Sequence, residues 1–135
     1  RGYAEDSHPE KLEPGTIFDL TVPIWRVAEG LLHAARAAVA FNVSEPTIEF
    51  EVRYTGIAGR RLKAWSSSEY WGSEHGTARA DEGVSRAVFS VAELESLLPE
   101  CVQRLLGQIF YLFQFADVPL EVYAGEIKKM KERRW

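Results

Sequence analysis

Arg53, Arg60, Arg61 and Lys63 are followed directly by Trp65, Tyr70 and Trp71. Cations beside aromatic faces suit unpaired nucleotides, because each base stacked on a ring contributes about 1 to 3 kcal/mol while the cations follow the phosphates. Glu49, Glu51 and Glu69 stand among these residues and offset the local positive field. A solvated strand face with tryptophans in the core is therefore the ordinary alternative, and the charge balance favours it. A second basic run, Lys128, Lys129, Lys131, Arg133 and Arg134, is compensated only in part by Glu126 and Glu132. It could serve as a contact for nucleic acid or a partner, or it is the exposed end of a helix whose negative pole favours cations.

Glu69, Glu74, His75, Asp81 and Glu82 place four carboxylates and an imidazole within one stretch, donors of the kind that hold a hard cation or serve an acid-base enzyme. Their spacing fits no recognised ligand pattern, so no metal or cofactor is expected. His8 and His33 are isolated, and Glu29 with His33 has the i, i+4 spacing of a surface helix pair. Ser66 to Ser68 lack the glycine-flanked turn that exposes a nucleophile, and Cys101 has no base near it in sequence. Gly56 and Gly59 do not extend to a phosphate-cradling loop. Asn42-Val43-Ser44 meets the glycosylation consensus, yet with one cysteine and no export signal it reads as a helix end entering a turn. Nothing supports nucleophilic catalysis.

The 135 residues, 46% hydrophobic and 27% charged, suit one domain able to bury about 68 to 70% of its unfolded surface. The net charge of −4 argues against a whole-chain basic field and leaves only local patches. A single cysteine excludes an internal disulfide and points to a reducing, cytoplasmic setting. The longest apolar run, Leu105 to Phe115, is interrupted by Gly107, Gln108 and Gln114 and falls far short of the roughly 20 residues a bilayer needs, so no membrane partner is expected. An opening without methionine, and with no apolar leader, suggests a piece of a longer protein.

Residues 1–15, rich in Glu and with His8-Pro9 and Pro14-Gly15, read as an extended linker before a single domain over 16–135. Ile17 to Val22 alternates as a strand, and Pro23 then opens a helix capped near Thr21, with Val27, Ala28, Leu31, Leu32, Ala35 and Val39 on its apolar side. In Thr47 to Thr55, Ile48, Phe50, Val52 and Tyr54 alternate with polar residues, the pattern of a strand buried on one face. Gly56 and Gly59 suggest a tight turn returning as a second strand over Arg60 to Trp65, a β-hairpin. Residues 66–83 then form an 18-residue loop, long enough to be the first place to look for activity, before a strand over Val84 to Phe89. Ser90-Val91-Ala92-Glu93 is a capping box that starts a short helix. Pro99 separates it from a longer one reaching Gln114, apolar nearly all round, and a last helix follows Pro119. The order predicts an α+β domain: a mainly antiparallel four-stranded sheet with helices packed on one face.

Residues 23–36 (Pro-Ile-Trp-Arg-Val-Ala-Glu-Gly-Leu-Leu-His-Ala-Ala-Arg) and 54–62 (Tyr-Thr-Gly-Ile-Ala-Gly-Arg-Arg-Leu) resemble the C-terminal accessory region of bacterial AlbA-type, Schlafen-like DNA-binding regulatory proteins. The resemblance implies a non-catalytic domain appended to a separate nucleic-acid or nucleotide-binding module. That signature module is absent here, so no functional residue is carried over. The expected role is ligand sensing, partner binding or self-association within a longer regulatory protein, with other domains of that chain or a second copy as partners. The alternatives are a single-strand nucleic-acid module on the basic, aromatic hairpin and an enzyme built on the His75 loop.

Overall fold

The computed structural model describes residues 17–41, 46–63, 74–113 and 116–134. In chain order these form β1 (Ile17–Asp19), α1 (Thr21–Ala40), β2 (Thr47–Thr55), β3 (Arg61–Lys63), β4 (Glu74–Thr77), β5 (Glu82–Ser90), α2 (Val91–Ser96), α3 (Leu98–Phe110) and α4 (Leu120–Arg134). The class is α+β, but the strands do not make one four-stranded sheet. β1, β3 and β4 form a three-stranded sheet, with β1 parallel and β4 antiparallel to β3, while β2 and β5 pair antiparallel by themselves.

The expected hairpin over Thr47 to Trp65 is replaced by a larger one. β2 pairs with β5 through nine consecutive residue pairs, from Thr47 opposite Ser90 to Thr55 opposite Glu82. Gly56 and Gly59 do take positive φ values of 72° and 82°, a region open to glycine at little cost, but they bend the chain without reversing it. Across the bend the amide of Ile57 donates to Asp81 O (3.3 Å), that of Gly59 to Ala78 O (2.9 Å) and that of Ala78 to Arg60 O (3.0 Å). Beyond it, β3 continues against β4. β2 and β3 are thus successive parts of one arm and β4 and β5 of the other. Residues 66–83 are accordingly no single loop: β4 and the start of β5 lie within them, and 66–73 lie outside the described residues.

β1 ends at Asp19 rather than Val22, because the Asp19 carboxylate accepts the amide of Thr21 (3.0 Å) and turns the chain into α1 two residues before Pro23. Leu20, not Thr21, is the N-cap residue and supplies no side-chain bond. α1 buries Ile24, Val27, Ala28, Leu31 and Ala35. It meets the β2–β5 ribbon where Gly30 has no side chain, since a Cβ there would lie 3.0 Å from Phe50 Cζ. On the same face, Gly83 leaves room for Ile109 and Leu112, next to which a Cβ would sit at 3.0 and 2.8 Å.

The capping box forms as expected: the Glu93 amide donates to Ser90 Oγ (3.1 Å) and the Ser90 amide to Glu93 Oε1 (2.9 Å). α2 stops at Ser96, and α3 begins at Leu98 with Pro99 in its first turn, where a missing amide costs nothing. α3 runs to Phe110 and buries Val102, Leu105, Leu106, Ile109 and Phe110 at about 1.5 to 3 kcal/mol for each large apolar side chain removed from water. Phe18 joins the two sheets to this helix, with its ring 5.3 Å from Tyr54, 6.5 Å from Phe110 and 5.2 Å from Phe113.

Candidate interaction surface

Alternation along β2 and β5 turns Ile48, Phe50, Val52, Ala87 and Phe89 toward the helices and leaves Glu49, Glu51, Arg53, Val84, Arg86 and Val88 on the outer face. Directly opposite residues on one face of an antiparallel pair are neighbours, and diagonal ones are within reach of long side chains. Glu51 therefore meets Arg86, its register partner, whose Nε donates to Oε1 (2.9 Å), and also takes Arg53 Nη2 on Oε2 (3.1 Å). Arg53 completes the chain by donating through Nη1 to Glu82. Four charges of balanced sign are thus ordered along the ribbon, with the exposed valines Val84 and Val88 on either side of Arg86.

The hydrogen bonds of Arg86, then its charge, followed by those of Arg53, hold the Glu51 carboxyl below its ordinary value of 4.5. A depressed carboxyl pKa contributes stability that is fully present above the unfolded value and is lost as pH falls through the folded one. Acidification from pH 7 to about 3 should therefore destabilise the wild type more than Glu51→Gln, which has no such proton to take up. Urea midpoints of both chains at the two pH values check this; equal losses would remove Glu51 as a source of the acid sensitivity.

The expected basic and aromatic cluster is divided by the topology. Arg53 lies on the ribbon, and Arg60, Arg61 and Lys63 lie at the bend and on β3, in the other sheet. Arg60 is turned onto backbone, with Nε donating to Gly56 O (2.9 Å) and Nη1 to Ile17 O (3.4 Å), so its guanidinium closes the bend and fastens β1. Trp65, Tyr70 and Trp71 lie outside the described residues.

The His75 stretch is likewise not one loop. Glu74 and His75 are on β4, the Asp81 carboxylate accepts the Ala58 amide (3.4 Å), and Glu82 holds Arg53, while Glu69 is outside the described residues. Among the described residues no three His, Cys, Asp or Glu side chains gather as a metal site. Cys101 is buried with its thiol against Glu93 O (3.7 Å), and burial pushes its pKa up, away from the reactive thiolate.

The second basic run divides between two sides of α4. Lys128 and Lys131 border an open groove of about 390 Å³ with Pro99, Ala124, Ile127 and Glu132. Lys129 instead donates to Glu126 Oε2 (3.4 Å), and the Arg133 guanidinium lies over the Trp25 ring at 5.7 Å. Arg134 ends α4. Glu126 itself is fully buried and accepts the Trp25 indole N–H on Oε1 (2.9 Å), fastening α4 to α1. Sequence reasoning misses this pair, although a signal is present: Glu126 falls three residues after Tyr123 and four before Met130, inside the apolar stripe.

Among the described residues no helix is long and apolar enough to cross a membrane. No family model, curated protein or solved structure matches the chain.

Proposed function

We propose that the chain is a non-catalytic accessory domain that works by partner binding or self-association, with the β2–β5 ribbon as its docking element. The carrying observation is the ribbon's form: β2 is nine residues long and is paired along one edge only, and among the described residues no strand occupies the other. An open strand edge is a row of amides and carbonyls ready to pair with another chain. The outer face beside it is already ordered by the Glu51, Arg53, Glu82 and Arg86 network, so docking there fixes few additional rotamers. The resemblance of residues 23–36 and 54–62 to an accessory region of bacterial regulatory proteins agrees with this role within a longer chain.

Nucleic-acid binding through the arginines draws less support. The Arg60 guanidinium is turned onto backbone carbonyls, and Arg53 lies in a different sheet from Arg61 and Lys63.

Amide hydrogen exchange of the labelled chain tests the docking role, in dilute solution, at high concentration and in a crude cell extract. Docking at the edge should slow the outward amides of Thr47, Glu49, Glu51, Arg53 and Thr55 by at least roughly tenfold in one of the latter two, as expected for edge groups that gain partners. Equal rates under all three conditions would overturn the docking role.

A further inference from the structure

Three contacts establish which backbone groups of the ribbon face outward. In an antiparallel pair the amide and carbonyl of one residue point to the same side, and bonded and non-bonded pairs alternate. Val91, one step beyond the ladder, donates its amide to Pro46 O (3.3 Å), which makes the pairs 48 with 89, 50 with 87, 52 with 85 and 54 with 83 the bonded ones. The alternate residues of β5 then face away from β2. In agreement, Val88 O receives Arg104 Nη1 from α3 (3.4 Å), and the Ser90 amide is taken by Glu93. The edge of β5 is thus stopped by side chains at its C-terminal end.

The edge of β2 has a different character. Its outward groups belong to Thr47, Glu49, Glu51, Arg53 and Thr55, and the strand contains no Pro, Gly or Lys and no bulge over nine residues. Pro, Lys and bulges are devices by which proteins protect an edge from pairing, and the charges that β2 does carry, Glu49, Glu51 and Arg53, oppose pairing only where like signs face each other. Its charge order is also self-complementary. When two β2 strands run antiparallel about a two-fold axis at Glu51, Glu49 of each copy falls opposite Arg53 of the other and Thr47 opposite Thr55, all on outward, bond-forming positions. Glu51 then faces its own counterpart, but each carboxylate already has Arg53 and Arg86 of its own chain on it. Shifting the register by two residues loses both Glu49–Arg53 matches: one shift sets Glu49 opposite Glu51, and the other sets Glu51 opposite Arg53, two groups already paired with each other within each chain.

We infer that the partner of the β2 edge is a second copy of this chain, joined antiparallel about Glu51 so that two ribbons become one four-stranded sheet. The inference rests on the docking role of the ribbon and names its occupant. The assembly is isologous and closes on itself, so it stops at a dimer.

Glu51→Pro provides the first test, because the Glu51 amide faces outward and its loss leaves the β2–β5 ladder intact; proline is tolerated at that kind of position. Sedimentation equilibrium over a concentration series should show a dimer for the native chain and a dissociation constant raised roughly a hundredfold for Glu51→Pro, since both central bonds are lost, with an unchanged far-ultraviolet circular dichroism spectrum. Charge exchange provides the second. Glu49→Arg and Arg53→Glu should each weaken self-association, whereas an equimolar mixture should form heterodimers in native mass spectrometry. In the mixed pair the arginine introduced at position 49 faces the glutamate introduced at position 53, and the native Arg53 of one copy faces the native Glu49 of the other, so both matches are restored.

A native dimer unaffected by Glu51→Pro, or a mixture with no preference for heterodimer, would overturn the pairing. A chain monomeric at every concentration would also overturn it. If its edge amides were nevertheless protected in extract, the docking role would stand with a different protein as occupant.

Discussion

Phe18→Ala should destabilise the domain by about 3 to 5 kcal/mol, the range for truncating a buried aromatic ring. β1 has only three residues and pairs with β3 through three positions, so its place in the fold depends on what its central side chain reaches. Phe18 reaches Tyr54 at the end of the ribbon and Phe110 and Phe113 at the end of α3, and so ties both sheets to the buried helix. Phe18→Leu keeps most of the apolar volume and loses chiefly the ring contacts, which are worth about 0.5 to 1.5 kcal/mol each. Urea unfolding of the three chains gives the two differences. Hydrogen exchange should show the loss first in β1 and β3, with β2 and β5 less affected. A loss below about 1 kcal/mol for Phe18→Ala would show that this ring does not join the sheets.

The second large effect is expected at Glu126. Its carboxylate is wholly removed from solvent and holds the Trp25 indole N–H and the Lys129 ammonium. Glu126→Ala opens a hole between α1 and α4 and leaves the Trp25 indole N–H without its acceptor, while the partly exposed Lys129 turns to water, with an expected cost of about 3 kcal/mol. Glu126→Gln retains an oxygen for the indole and should cost about 1 kcal/mol. Trp25→Phe keeps a ring beneath Arg133 but removes the donor, at about 1 to 3 kcal/mol. In a double-mutant cycle, Trp25→Phe with Glu126→Ala should cost at least about 0.5 kcal/mol less than the sum of the single changes. Strict additivity would mean that the two side chains touch without stabilising each other.

The features legible in the sequence have a common character. The capping box at Ser90 and Glu93, the break before Pro99, the alternating face of Thr47 to Thr55 and the apolar stripe of α1 all depend on residues within a few positions of one another. The strand pairing has no such signal. Gly56 and Gly59 satisfy the backbone needs of a reversing turn and of a bend equally well, because both require positive φ and neither is decided by the residues downstream. The charges of the ribbon are visible as residues, yet proximity in sequence groups Arg53 with Arg60 and Arg61, while its partners are Glu51 and Glu82.

The sequence by itself determined the α+β class, the starts of α2, α3 and α4 and the alternating face of β2, because propensity, capping and period are local properties of the chain, while the start of α1 was moved to Thr21 by the Asp19 side chain. Tertiary structure alone decided that Thr47–Thr55 pairs with Glu82–Ser90, that β1 joins β3 in parallel, and that Glu126 is an anchor for Trp25 and no mere compensating charge in a basic run. A period of two states that a strand has an inside but not which strand lies beside it. That choice is made where the helices bury the shared face, at Gly30 against Phe50 and at Gly83 against Ile109 and Leu112. The same packing leaves the other edge of β2 unpaired by any strand among the described residues, with Glu49, Glu51 and Arg53 at alternate positions along it.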